Sequence, residues 1–366
     1  VLYYWIIKGI LLRRFVQKTT MRFDVWLAFR QKIINKQELG FKTKTLKAII
    51  CTKYGGPEVL ELQEVEKPSP KDDEVLVKVH AVSINDWDWG IMDGNSLFNR
   101  LTSGLSKPRI KILGSDVAGV VEAVGRNVTE FKTGDEVYGD LSGKWGGFAE
   151  YVCAHQDKLA IKPPAMSFEE AASIPQAAML AAQGLIDKGK IQPGHNILIN
   201  GAGGGVGTFG VQIAKLYGVE VTVVDSASKL NMLRSLGADH VIDYIKEDFT
   251  KNGQLYDLVL DTKTNRPILR YLRVLKPNGV YVTVGGSLSR LFQAFLLIPW
   301  IKFFSNKRVR IVVLKANKDL GYINELFEEG KIKCVIDGSY QLHEIPDAFR
   351  LFSRVKHKGK IVISVR

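Results

Sequence analysis

Cysteine is scarce in this 366-residue chain. The three present, Cys51, Cys153 and Cys334, lie far apart, which excludes a disulfide framework and offers no paired spacing for a metal knuckle. The expected setting is a reducing, cytoplasmic one. Histidine is also scarce, six in all, and His80, His155 and His240 stand alone as strand or surface residues rather than ligands. There is no low-complexity tract and no internal repeat. The composition, 46% apolar and 24% charged, is that of a globular protein long enough for two domains. Val1–Val16 is apolar but broken by Lys8, Arg13 and Arg14, too short and too charged to cross a bilayer. It also lacks the charged start and cleavage site of a secretory signal. Residues 1–45 hold +8 of the net +13, so the body is only mildly basic. That body has no basic stripe interleaved with aromatics, and no nucleic-acid partner is expected. We read 1–45 as a basic extension outside the fold, with an interfacial helix as the lesser alternative.

The chain is organised around Ile197-Leu198-Ile199-Asn200-Gly201-Ala202-Gly203-Gly204-Gly205-Val206-Gly207. A short apolar run enters a glycine cluster. Apolar residues then recur at Val206, Phe209, Ile213 and Leu216, the period of a helix with one buried face. Gly218 ends that pattern, and Val219–Val224 reads as a second strand closing on Asp225. Strand, glycine turn, helix, strand and acidic residue form the order of a dinucleotide-binding unit. Ala202-x-Gly204-x-x-Gly207 has the required spacing with alanine first. Glycine is needed because a pyrophosphate reaches a helix N-terminus only where side chains do not block the backbone.

Before this unit, from Leu46, short strands alternate with Gly/Pro turns: 46–52, 60–65, 75–84, 119–124, 136–138 and 149–152. That texture predicts a small irregular barrel. Ser167 caps a helix, and a helical stretch covers 177–188. After Asp225, helix 228–236, strand 238–244, strand 256–261, helix 268–275 and strand 279–284 predict a doubly wound parallel sheet. Helices over 319–329 and 345–353 and a closing strand at 360–365 complete the chain.

Several stretches carry a family likeness: Gly55-Gly56-Pro57-Glu58-Val59-Leu60, Val82-Ser83-Ile84-Asn85-Asp86-Trp87-Asp88, Gly114-Ser115-Asp116-Val117-Ala118-Gly119, Gly146-Gly147-Phe148-Ala149-Glu150-Tyr151-Val152 and Leu236-Gly237-Ala238-Asp239-His240-Val241-Ile242-Asp243-Tyr244. With the glycine stretch, they make Leu46 onward resemble the zinc-independent quinone oxidoreductase branch of the medium-chain dehydrogenase/reductases. The resemblance implies an α/β protein: a GroES-like irregular barrel over 46–173 and 317–366, with a Rossmann domain inserted at 174–316. A homodimer paired through the Rossmann sheets is implied as well. Zinc-dependent relatives place soft ligands where this chain has Asn85 and Ser115, so no zinc is expected.

The cofactor is expected on Ala202, Gly203, Gly204, Gly205, Val206 and Gly207, on Asp225, Ser226, Lys229 and Tyr244, and on the backbone of Val284, Gly285 and Gly286. Asp225 suits the ribose hydroxyl of NAD(H). Ser226 and Lys229 suit the extra phosphate of NADP(H), which is narrowly favoured; the competing reading of Lys229 is a solvated helix-start lysine. Without a metal, hydride passes directly to a quinone or an α,β-unsaturated carbonyl, whose charge delocalises onto oxygen. Asn85 is the candidate donor to that oxygen. Asp88 is a second catalytic candidate beside it, although loop support competes with proton handling. Trp87 and Trp89 line a pocket or simply pack. Leu180-Ala181 stands where relatives carry a hydroxyl facing the nicotinamide. The apolar run 288–304 belongs to the core or a dimer interface, with a cleft cap or membrane contact as lesser readings. An alcohol dehydrogenase-like enzyme and a weakly catalytic NADPH-binding protein (crystallin-like, RNA- or membrane-associated) are the alternatives.

Overall fold

Val- and Ile-rich runs build three sheets in the computed structural model, which describes residues 44–286 and 288–365. The expectations for residues 1–43 lie outside the described residues. The small sheet pairs β1 (Thr45–Cys51) with β2 (Leu60–Glu66), antiparallel. Then come β3 (Glu74–Ser83), β4 (Asp116–Val124), β5 (Glu136–Asp140), β6 (Tyr151–His155) and β7 (Ala160–Ile161). They join β14 (Ile336–Gln341) and β15 (Lys360–Ser364) in a seven-stranded sheet ordered β14-β15-β3-β4-β5-β7, with β6 also on β3. Val75, Val77, Val79, Val117, Val121, Phe148, Phe349 and Ile363 fill the interior of this barrel-like layer.

The third sheet holds β8 (Asn196–Asn200), β9 (Glu220–Asp225), β10 (His240–Asp243), β11 (Tyr256–Asp261), β12 (Leu275–Thr283) and β13 (Arg308–Ile311). Its order is β10-β9-β8-β11-β12-β13 and every pairing is parallel. Strand order reverses between β8 and β11, the switch point at which such sheets bind ligands. Helices Gly205–Lys215 and Pro175–Ala182 pack on one face, and Ile268–Arg273 with Leu288–Phe304 on the other.

Boundaries shift by a few residues from expectation. The strand expected at 149–152 runs Tyr151–His155, and the one expected at 279–284 begins at Leu275. Two short helices, Asp86–Asp93 and Leu97–Ser103, were not anticipated. The first is capped by Asn85 with Asp88 at the third position, a reciprocal capping box. The run 288–304 is a 17-residue helix. Ala294 and Ile301 enter the core, but much of the rest is exposed, so core burial explains only one of its faces.

Candidate active site

At the end of β8, Gly201 turns the chain with φ +79°, and the helix Gly205–Lys215 begins with Gly204 as its N-cap. A Cβ added at Gly207 would lie 2.4 Å from the Ala202 backbone, so the helix can sit this close to the strand only with glycine there. A Cβ at Gly204 would meet nothing within 4 Å. The mouth of the turn is therefore open on the side where a helix N-terminus offers free N–H groups.

Asp225 ends β9 under this turn. Its carboxylate accepts hydrogen bonds from Gly203 N at 2.7 Å and Ser226 N at 2.8 Å. Ser226 caps the next helix, Ala227–Ser235. Lys229 is buried, its Nζ 3.1 Å from the Val355 carbonyl and 3.7 Å from Asp225, which corrects the solvated alternative. Burial pulls its pKa down despite Asp225. Tyr244 donates its backbone N–H to Asp225 O at 3.2 Å and leaves its ring exposed. The Lys263 side chain crosses Gly201, where a Cβ would meet its Cγ at 2.6 Å. His357 is buried with Nδ1 unpartnered among the described residues. Burial, and then the charges of Lys229 and Lys263, push its pKa down to about 4. Cations thus converge on the glycine turn, and the open cap, helix N-terminus and orphaned imidazole nitrogen fit a phosphorylated dinucleotide.

The loop after β12 lies beside this turn at the switch point. Asp261 accepts from Asn200 Nδ2 (2.8 Å), Thr264 N (2.9 Å) and Tyr281 OH (2.7 Å), which ties β8, β11 and β12 together. Thr264 Oγ1 donates to the Gly285 carbonyl. Gly286 has φ +111° against Thr264. Val284, Gly285 and Gly286 are therefore fixed backbone on the rim.

The second centre lies where β3, β4 and β15 meet. Asn85 Nδ2 donates to Ser115 Oγ at 3.2 Å, and Asn85 Oδ1 accepts from Lys360 Nζ at 2.5 Å. Lys360 also donates to Ile84 O at 3.1 Å and lies 3.6 Å from Asp116. Gln176 Nε2 donates to Ser115 Oγ (2.8 Å), Ser142 Oγ (2.9 Å) and Asp140 Oδ1 (3.3 Å). Asp116 is fully buried. Desolvation raises its carboxyl pKa to about 7 although Lys360 opposes the shift. Asp88 is also fully buried and pushed to about 7. Its two oxygens accept Asn85 N (2.9 Å) and Gly114 N (3.0 Å). Both carboxylate oxygens are thus engaged by backbone N–H groups of two loops. Trp89 packs on Phe349 and Phe352, at 6.3 Å between ring centroids in each case, while Trp87 is half exposed. They do not form one aromatic pocket.

Lys360 was not anticipated, and it joins the two centres. Gly359 N donates to Gly203 O at 2.9 Å, and a Cβ at Gly205 would meet Lys360 Cδ at 2.6 Å. The lysine stem lies on the glycine turn and its ammonium on Asn85. Among the described residues no group of three or more His, Cys, Asp or Glu side chains gathers as a metal site. The amide of Asn85 and the hydroxyl of Ser115, with the Lys360 ammonium beside them, do not fit zinc, whose ligands are thiolate, imidazole and carboxylate.

Residues 71–164 match the alcohol dehydrogenase GroES-like domain, and residues 236–363 match a domain described as zinc-binding dehydrogenase. The chain is 34% identical over 330 residues to a 2-methylene-furan-3-one reductase of Solanum lycopersicum, covering 87% of this chain and 79% of that one. It is 33% identical to an NADPH-dependent alkenal/one oxidoreductase, chloroplastic, of Arabidopsis thaliana, covering 87% and 80%. A quinone oxidoreductase structure from Coxiella burnetii superposes with a TM-score of 0.80 at 30% identity, over 88% of this chain and all of that one. The chain belongs to the quinone oxidoreductase-like branch of the medium-chain dehydrogenase/reductase superfamily.

Proposed function

We propose that this protein is an NADPH-dependent oxidoreductase that transfers a hydride to quinones or α,β-unsaturated carbonyls without zinc. The observation that carries the proposal is Lys360, whose single side chain lies on the glycine turn and ends in a buried ammonium on Asn85. The names of the relatives, an alkenal/one reductase and a quinone oxidoreductase among them, point to the same reaction.

When bound, NADPH supplies the hydride. The glycine turn from Ala202 to Gly207 receives the pyrophosphate. Lys229 and Ser226, with Lys263, favour the extra phosphate of NADP(H), because both carboxylate oxygens of Asp225 are already engaged by backbone N–H groups. Tyr244 and the backbone of Val284, Gly285 and Gly286 line the rim. Hydride addition leaves an enolate or a hydroquinone anion, which then takes one proton from water. The fixed positive charge of Lys360 stabilises that anion electrostatically at the wall of the site. Asn85 serves as a positioning residue, with one end of its amide on Lys360 and the other on Ser115.

Three unpaired thiols, Cys51, Cys153 and Cys334, suit a reducing compartment such as the cytoplasm. Burial raises them to about 11, 11 and 12, so they are poor nucleophiles. The free edge of the third sheet, β13, is available for pairing into a homodimer, which light scattering of the purified chain tests.

The test of function follows nicotinamide absorbance with 1,4-benzoquinone, 9,10-phenanthrenequinone and a linear enone, each with NADPH and NADH, with and without chelator. Chelator-insensitive oxidation of NADPH is expected. Activity abolished by chelator and restored by zinc would overturn the metal-free reading. Clear NADPH binding with no turnover of any acceptor would replace it with a cofactor-binding role.

A further inference from the structure

The loop 354–359, between the helix Ile345–Ser353 and β15, is a strap laid across the glycine turn. Lys229 Nζ donates to the Val355 carbonyl at 3.1 Å, and the Lys229 stem lies on Gly203, where an added Cβ would meet its Cδ at 2.4 Å. Val355 holds φ +55° in presenting that carbonyl, a conformation that β-branched side chains resist. Further along the strap, Gly359 N donates to Gly203 O at 2.9 Å. Between these two contacts stands His357, only 8% exposed. Its ring is held by stacking on Phe352, with centroids 5.2 Å apart and planes inclined by 11°. Nδ1 is buried and has no hydrogen-bond partner among the described residues. A buried polar atom left this way is costly unless a ligand completes it.

The charges acting on this imidazole come from four elements. Lys229 belongs to the helix Ala227–Ser235, Lys263 to the loop after β11 and Lys360 to β15, while Asp337 of β14 opposes them. Asp337 also accepts from Lys358 N at 2.7 Å. On the helix that carries Phe352, Arg350 pairs with Asp347. Arg354, Lys356 and Lys358 of the strap itself are exposed. Burial and the surrounding lysines therefore hold His357 neutral at neutral pH. A phosphate dianion beside Lys229 reverses the sign of that field and gives Nδ1–H an acceptor. We propose that His357 takes up one proton from solvent as the extra phosphate of NADPH seats beside it, so that cofactor binding and protonation are a single linked event. The inference rests on the NADPH assignment above. NADH lacks that phosphate and leaves the imidazole neutral. His357 thus contributes a preference for NADPH over NADH that declines as pH rises through the imidazole's value in the complex.

Titration calorimetry in buffers of different ionisation enthalpy counts the protons. The full chain and its His357→Gln variant are each titrated with NADPH and with NADH at about pH 6. With NADPH the parent should take up at least about 0.5 proton more than the variant, the amount expected if the bound-state imidazole regains a value of about 6.5 or above. Comparison with the variant cancels the protons released by the phosphate itself, which ionises near about pH 6. With NADH the two chains should agree. Between about pH 6 and pH 8 the parent's Kd for NADPH should rise about threefold more than the variant's. In the parent alone, one of the six imidazole Cε1–H signals in the proton NMR spectrum should move from its neutral to its charged position when NADPH, but not NADH, is added. That measurement decides the matter even where the variant fails to fold. Tight NADPH binding with equal uptake by both chains, or no such signal, overturns the inference and leaves the cofactor assignment standing. The same uptake with NADH assigns the proton to the pyrophosphate and overturns the link to the extra phosphate. A chain that binds NADH and not NADPH overturns both the inference and the assignment.

Discussion

Lys360 Nζ lies 2.5 Å from Asn85 Oδ1, and the methylenes of the same lysine pack on Gly205 of the glycine turn. One residue therefore touches both the glycine turn and the Asn85 centre. Lys360→Met keeps the packing and removes the charge. We expect kcat to fall by about 10²–10³, the range found when one preorganised charge-stabilising donor is lost. NADPH affinity, measured by fluorescence titration, should change less. An unchanged kcat beside a large loss of affinity would assign the lysine to the cofactor alone.

Asp116 gives a pH signature. Its carboxyl is raised from 3.8 to about 7, so the folded protein retains a proton that the unfolded chain has released over that window. The resulting stabilisation is fully present below about pH 4 and is lost as pH rises through about 7. A gap of this size is worth on the order of 4 kcal/mol when fully expressed. Asp88 shifts in the same direction over the same window. Asp116→Asn fixes the neutral form at one of the two sites, and the decline in melting temperature from about pH 5 to pH 8 should become shallower. If the variant declines as steeply as the parent, Asp116 is ionised throughout that range.

Lys229 is the proposed discriminator between the nicotinamide cofactors. Its ammonium is already fixed between Val355 O and Asp225, so little ordering remains when a phosphate arrives. Lys229→Met should raise KM for NADPH at least about tenfold and leave KM for NADH within about twofold, as expected for a charge-assisted contact made only by the extra phosphate. Parallel kinetics with both cofactors decide the matter. Equal losses would make Lys229 a structural support of the turn.

The glycine turn was legible in the sequence because its determinants are local. The run Ile197–Gly207, the helical period after it and Asp225 all fall within 30 residues, and each does at its own position what its chemistry dictates. The charge centre was legible only in part. Asn85 and Ser115 stood out, but the cation on Asn85 comes from 275 residues further along the chain, and no spacing reveals a contact made by sheet order. Asp88 reads two ways for a local reason: Asn-x-x-Asp is also a capping box, and Asn85 N donates to its carboxylate where a helix starts. The run 288–304 was plainly apolar, yet a helix apolar all round does not declare which side meets the core. That was settled by Ala294 and Ile301 turning inward.

Two glycines of the turn separate cofactor binding from folding. Gly207 sits where an added Cβ would press on the Ala202 backbone at 2.4 Å, and backbone cannot yield as a side chain can. Gly207→Ala should therefore destabilise the fold by about 1–3 kcal/mol, the usual range for overpacking, and lose cofactor as a consequence. Gly204 has ordinary helix-cap dihedrals, φ −92° and ψ −179°, and open space where its Cβ would stand. Gly204→Ala should keep the parent melting temperature to within about a degree, because nothing in the protein is displaced. Its methyl group would occupy the approach of the pyrophosphate to the helix N-terminus, so NADPH affinity should fall at least about tenfold. The pair is read by thermal denaturation with and without NADPH: the Gly204 variant should lose the ligand-induced rise in melting temperature while matching the parent without ligand. A Gly204→Ala protein that NADPH stabilises as strongly as it does the parent would place the pyrophosphate elsewhere than on this turn.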